Sequence, residues 1–287
     1  MLRIFNISEF GDYSFNAVEF ISLKYNLRKV VQLDLRSERR FLDLQKIVKK
    51  LGWAVVKSNF KFDLEERKKG NFKRIDINDK RKGEFRIYIF NPKRLRFKIP
   101  NEPKELARLM GYSSCCIDSY MERMKVNKDI FGCMNITKDS SFSFLINPFV
   151  RQVSNAYLIN HFPCSLNCKK SLKLAKAISK VIQSNYPYFY KKIYQYCHFP
   201  VLVFPNSSAN YDMEEEVPFL LLMEKSKEEQ SYKILNNTLH GDNNLSKNFK
   251  NADTIVVSRK NIKVFRNNIL KSQINRSAVE SYFLIPY

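Results

Sequence analysis

Six cysteines carry the chemistry this chain advertises, and four of them stand in two close pairs, Cys115-Cys116 and Cys164/Cys168. A thiolate binds soft metals and attacks electrophiles, so paired thiols point to a metal site or to thiol catalysis. Both pairs sit where a loop reads as passing into a helix, in Leu109-Met-Gly-Tyr-Ser-Ser-Cys115-Cys116 and in His161-Phe-Pro-Cys164-Ser-Leu-Asn-Cys168. Unpaired backbone N–H groups and the positive end of the dipole gather at a helix start, and both favour the thiolate. Lys169 and Lys170 add positive potential beside Cys168.

Helix geometry qualifies the arrangement. Neighbouring helical residues diverge by about 100°, so Cys115 and Cys116 are expected to share an ion only if one of them precedes the first regular turn. Cys164 as a cap and Cys168 in the first turn meet without difficulty. Four sulfurs suit zinc or an iron–sulfur cluster. The adjacent pair departs from the C-x₂₋₄-C spacing of structural zinc sites and is easier to place around a wide cluster, so an iron–sulfur cluster is the first expectation and zinc the alternative. His161 is the candidate catalytic residue, close enough to ligate or to move a proton. Two readings without a metal stay open: four reduced, partly buried thiols, and a free-thiol catalyst with His161 as base to Cys164. Cys133 and Cys197 read as core cysteines.

The elements that must position these residues are legible in outline. Ser37–Leu51 is an amphipathic helix with Phe41, Leu44, Ile47, Val48 and Leu51 on one face, ended by Gly52. Trp53-Ala-Val-Val and Phe85-Arg-Ile-Tyr-Ile-Phe are strands, and residues 61–84 between them read as a loop or exposed hairpin. Pro103 opens a short helix closed by Gly111, and Ser113 or Ser114 caps the next one. Further helices are expected over 148–160 and 165–184. From 199 onward, short apolar runs separated by polar turns predict an antiparallel sheet. The fold class is therefore α+β, in three regions: a basic mixed α/β part (1–102), a helical cysteine-bearing centre (103–198) and a β-rich antiparallel C-terminal part (199–287).

Charge supplies the second functional signal. The 287 residues hold 50 Lys+Arg against 28 Asp+Glu, a net charge of +22, which suggests a polyanionic partner. Between residues 61 and 100 there are 14 basic against 6 acidic residues, interleaved with Phe60, Phe62, Phe72, Phe85, Tyr88 and Phe97. Basic and aromatic side chains together can follow a single nucleic-acid strand. The competing reading, slightly favoured, sends these aromatics into a core and leaves the bases solvated. Candidate RNA contacts are Lys68, Lys69, Lys73, Arg74, Arg81, Arg94, Arg96, Lys169, Lys170 and Lys173. AT-rich codon composition is a bland source of the lysines. No apolar run is long enough to span a membrane and the first residues lack a signal-peptide pattern, so a cytoplasmic location with reduced cysteines is expected. No Walker A loop, G-x-G-x-x-G, G-x-S-x-G or H-E-x-x-H occurs, which argues against the enzyme classes those motifs mark.

The two cysteine segments resemble an uncharacterised family of archaeal and bacterial proteins that carry a Gly-Tyr-Pro-x-Cys-Cys segment and a His-x-Pro-Cys-x-x-x-Cys-x-x-Ser segment. The resemblance spans about residues 85–185. Ser113 stands where that family tends to have Pro, while the second segment matches through Ser171. The resemblance implies a shared site and no particular reaction. A looser likeness, of spacing alone, is to the cysteine-rich modules of heterodisulfide reductases; Ile117 replaces the expected Gly, and the later pair has three intervening residues instead of two. The leading functional expectation is an iron–sulfur enzyme of sulfur or redox chemistry acting on an anionic substrate, RNA among the candidates. The alternative is a basic nucleic-acid-binding protein with a structural zinc site.

Overall fold

The first helix, α1 (Ala17–Lys24), gives no amphipathic signal because its first seven residues are all buried. It runs into β1 (Val30–Leu35). The structure, a computed structural model, describes residues 16–68, 73–126, 139–150, 157–204, 219–226, 230–237, 249, 251–276 and 282–286. Helix α2 (Glu38–Lys50) forms as its periodicity predicts. Ser37 Oγ accepts the Arg40 N–H at its start, Phe41, Leu44 and Val48 face the core, and Gly52 leaves the helix with φ +69°.

Residues 61–84, expected as a loop or exposed hairpin, hold more regular structure than that. Strand β2 (Ala54–Asp63) continues well past Val56. A short helix α3 (Leu64–Lys68), strand β3 (Arg74–Asp76) and strand β4 (Gly83–Phe90) follow. The sheet order is β1-β4-β2-β3, antiparallel throughout. Its pairing sets Val31 opposite Ile89 and Leu33 opposite Ile87, all buried. The charges in 61–84 hid this extension because β2 and β3 form an edge whose polar face is solvated.

Helices α4 (Pro103–Leu109) and α5 (Ser114–Val126) meet at Gly111, whose φ of +82° only glycine adopts freely. The expected helix over 148–160 is not present at 157–160, and 151–156 lie outside the described residues. The long helix starts four residues later than predicted, as α6 (Lys169–Asn185). It is followed by α7 (Pro187–Cys197).

The C-terminal part is β-rich, as predicted. Strands β6 (Val201–Phe204), β7 (Phe219–Lys225), β8 (Ser231–Asn237), β9 (Thr254–Val257), β10 (Asn261–Arg266), β11 (Ile269–Asn275) and β12 (Tyr282–Pro286) join β5 (Asp139–Phe142) in the order β11-β10-β9-β8-β7-β6-β12-β5. Every pairing is antiparallel except β12 with β5, which is parallel. Strand β6 separates two cores. Val201 and Val203 face the larger one, built from α1, α2, the first sheet, α6 and α7, while Leu202 faces the smaller one inside the C-terminal sheet. That alternation is the two-residue period of a strand buried on both faces.

Candidate metal centre

The structure brings the two cysteine pairs together. The sulfurs of Cys115, Cys116, Cys164 and Cys168 all lie within 4.8 Å of one another. Cys168 Sγ is 3.8 Å from Cys115 Sγ and 3.6 Å from Cys116 Sγ. Cys116 and Cys168 are buried, whereas Cys115 and Cys164 are partly open to solvent.

Local sequence explains the convergence. Ser113 precedes α5, and its carbonyl accepts the N–H groups of Cys116 and Ile117. Cys115 and Cys116 therefore both lie inside the first turn, against the expectation that one must precede it. They still reach one point because each Cα–Cβ bond tilts toward the helix N-terminus, so first-turn side chains extend past the helix end. On the opposite side Cys168, expected in the first turn, is the N-cap residue of α6, with φ −60° and ψ 107°. Cys164, expected as the cap, lies in the preceding loop, where its backbone N–H donates to Cys116 Sγ at 3.3 Å.

Hydroxyls surround the sulfurs. Ser113 Oγ donates to Cys116 Sγ at 3.1 Å and lies 3.3 Å from Cys115 Sγ. Ser171, in the first turn of α6 and buried, sits 3.3 Å from Cys116 Sγ and 2.9 Å from His161 Nε2. Burial pushes the Cys168 thiol up, but the polar groups of Ser171 and the neighbouring Cys164 and Cys116 thiols outweigh it and hold it at about 6. Burial, reinforced by the neighbouring sulfurs, pushes Cys164 up strongly; burial also raises Cys116. The cluster thus favours one thiolate braced by neighbouring S–H and O–H donors, the state a soft cation would replace.

His161 is placed behind the sulfurs, bonded to Ser171 and packed against Tyr112 with ring centroids 4.8 Å apart. It makes its contact to the cluster through Ser171. Ser113 and Ser171 are the residues that reading by spacing missed. Ser171 closes the second motif, three residues after Cys168, where an N-cap side chain is expected to meet a backbone N–H.

The candidate nucleic-acid residues are scattered. Lys169, Lys170 and Lys173 are exposed on α6, and Lys170 Nζ donates to Ser114 Oγ at 3.3 Å, across the sulfur cluster. Lys73, Arg74, Arg94 and Arg96 are exposed, with Arg74 lying 4.6 Å from the centre of the Phe60 ring. Arg81 is engaged by Asp79 at 2.7 Å and Asp63 at 2.9 Å. Lys68 ends α3, and Lys69 lies outside the described residues, as do Phe72 and Cys133. Phe62, Phe85 and Tyr88 are buried and Phe97 packs on Tyr88 and Phe90, so most of these aromatics are core and not a stacking platform. Cys197 is buried away from the four-sulfur group, its thiol pushed up by burial.

Residues 73–194 match the model of a family described as protein of unknown function, DUF483. The chain resembles this uncharacterised family. The matched stretch includes all four clustered cysteines, His161 and Ser171, and ends within α7. No curated protein and no solved structure matches the chain. Over the DUF483 stretch the four cysteines form a group that could hold a metal ion, and no helix among the described residues is long and apolar enough to cross a membrane.

Proposed function

We propose that this protein holds a single zinc ion on Cys115, Cys116, Cys164 and Cys168, and that the closed tetrathiolate fixes α6 so that its lysines face a polyanion such as RNA. One observation carries the metal reading, the spacing of the sulfurs. Thiolates about 2.3 Å from zinc stand about 3.8 Å apart at tetrahedral angles. The separations of 3.6 and 3.8 Å to Cys168 match that edge. A cluster several atoms wide needs its cysteines spread outward, beyond the 4.8 Å limit that encloses these four. Four protein thiolates also leave no open position on the ion, which is the pattern of a structural site.

The polyanion reading rests on charge and placement. Lys169, Lys173, Lys176 and Lys180 are exposed along α6, the helix that Cys168 begins. Partial exposure of Cys115 and Cys164, with His161 and Ser171 behind them, favours a second reading: an iron–sulfur or thiol-dependent enzyme of redox chemistry. Anaerobic purification, metal analysis and a visible spectrum separate the two. Colourless protein with one zinc per chain is the expected result. Brown protein with broad visible absorption would select the cluster and overturn the zinc assignment.

A further inference from the structure

The chain leaves α1 through Asn26, which has a positive φ of 58°. The Leu27 and Arg28 N–H groups turn back onto the Ser22 carbonyl, and Lys29 N–H bonds to the Leu109 carbonyl. After β4, Asn91 folds a second turn over itself by accepting the N–H groups of Lys93, Arg94 and Leu95. Between these two turns lies a cavity of about 500 Å³, lined by Asn26, Arg28, Lys29, Asn91, Arg94 and two leucines. That volume is within the range of small-molecule sites.

The charge of this lining is one-sided. It includes no acidic residue, and among the described residues neither Lys29 nor Arg94 forms an ion pair. Arg28 is fully buried. Its Nη1 donates to Glu19 at 2.9 Å and to Asn160 at 2.5 Å, so Glu19 neutralises it. Its Nε and Nη2 are buried with no acceptor. Both nitrogens are closed to solvent, so Arg28 forms part of the cavity wall without turning these donors into it. The net positive charge that draws the anion comes from Lys29 and Arg94.

We propose that this cavity binds a phosphate group, with Lys29 and Arg94 as its charged contacts and Asn26 and Asn91 facing the rest of the ligand. The site shares no residue with the cysteine cluster, although Arg28 in its wall lies 6.0 Å from the centre of the Tyr112 ring that packs on His161. The phosphate has two sources, a free nucleotide or a nucleotide within an RNA strand.

Calorimetric titration of the full chain as purified, with pyrophosphate, a 5′-mononucleotide and a short single-stranded oligoribonucleotide, tests the proposal. Binding of at least one probe is expected, weakened about tenfold or more by Lys29→Ala and by Arg94→Ala, because each removes a charged hydrogen bond to phosphate. These two positions are exposed, so circular dichroism should show both variants folded. Mononucleotide binding as tight as that of the oligomer identifies a free ligand. Tighter oligomer binding with the same sensitivity to both substitutions identifies a strand. Failure of all three probes to bind overturns the proposal, and so does binding that the Lys29→Ala, Arg94→Ala double variant leaves unchanged.

Discussion

Cys116 Sγ and Cys168 Sγ lie 3.6 Å apart although 52 positions separate them in the chain. A metal joining them crosslinks α5 to α6 across a long loop. Crosslinks of this kind are worth most when the unfolded chain is otherwise free.

Metal removal follows from that crosslink. Treatment with a strong chelator should lower the melting temperature, by an amount corresponding to about 4 kcal/mol where free metal had exceeded its dissociation constant a thousandfold. Thermal melts with and without chelator, followed by metal add-back, check this. An unchanged melting temperature after verified metal loss would sink the structural role.

Acid acts on the same centre. In metal-free protein Cys168 is held at about 6 against an ordinary 9.0, a depressed value. Its contribution to stability is therefore fully present above pH 9 and disappears as the pH falls through 6. Thiolate ultraviolet absorbance should show one group titrating near pH 6, while Cys116 and Cys164 titrate above the ordinary thiol range. Cys168→Ser should abolish the low step. Persistence of that step in the variant would refute the assignment.

Ser171 links Cys116 to His161. Ser171→Ala should weaken metal affinity by roughly 10- to 100-fold, the usual cost of losing a hydrogen bond that orients a ligand. It should also raise the low thiol step, since Ser171 has the largest influence holding that thiol down. Competition with a chromophoric zinc chelator measures the first effect. A change in stability without a change in either quantity would mark Ser171 as packing alone.

The Arg28–Glu19 pair is buried on both sides, and Tyr157 donates to the second carboxylate oxygen at 3.3 Å. Glu19→Ala should cost about 3–5 kcal/mol in urea unfolding, because it strands a cation in the interior. Replacing both partners by apolar residues should cost less than Glu19→Ala alone. A double variant less stable than the single one would contradict the desolvation argument.

RNA affinity, if α6 contributes, should fall steeply with salt, by about 0.7 logarithmic units per decade for each phosphate contacted. Lys169→Glu with Lys173→Glu should flatten that slope. Filter binding across a salt series measures it, and a wild-type affinity indifferent to salt would exclude a charge-driven interaction.

The cysteine cluster was legible because spacing near helix starts constrains where sulfurs can go. The reach of Cys115 and Cys116 was not, since counting 100° per residue describes directions around an axis and omits the backward tilt of Cβ. Helix α2 was legible from one apolar stripe. Helix α1 offered no stripe, being buried all round. Phe62, Phe85 and Tyr88 followed the bland alternation into a core, as strand residues do when both faces are covered. Arg28 had no signal at all: in Asn-Leu-Arg-Lys it looks like any surface base, and only Glu19 and Asn160, brought in by tertiary packing, reveal it as interior.

Strand β12 lies between β6 and β5, pairing antiparallel with one and parallel with the other. During synthesis the earlier of those neighbours emerges long before residues 282–286 do. Until that short ribbon leaves the ribosome, β5 has no partner in its sheet among the described residues, and its backbone groups must wait in water or against a chaperone. Completion of the larger sheet is thus deferred until residues 282–286 have been made, which gives one short strand unusual leverage over whether a nascent molecule matures or is degraded.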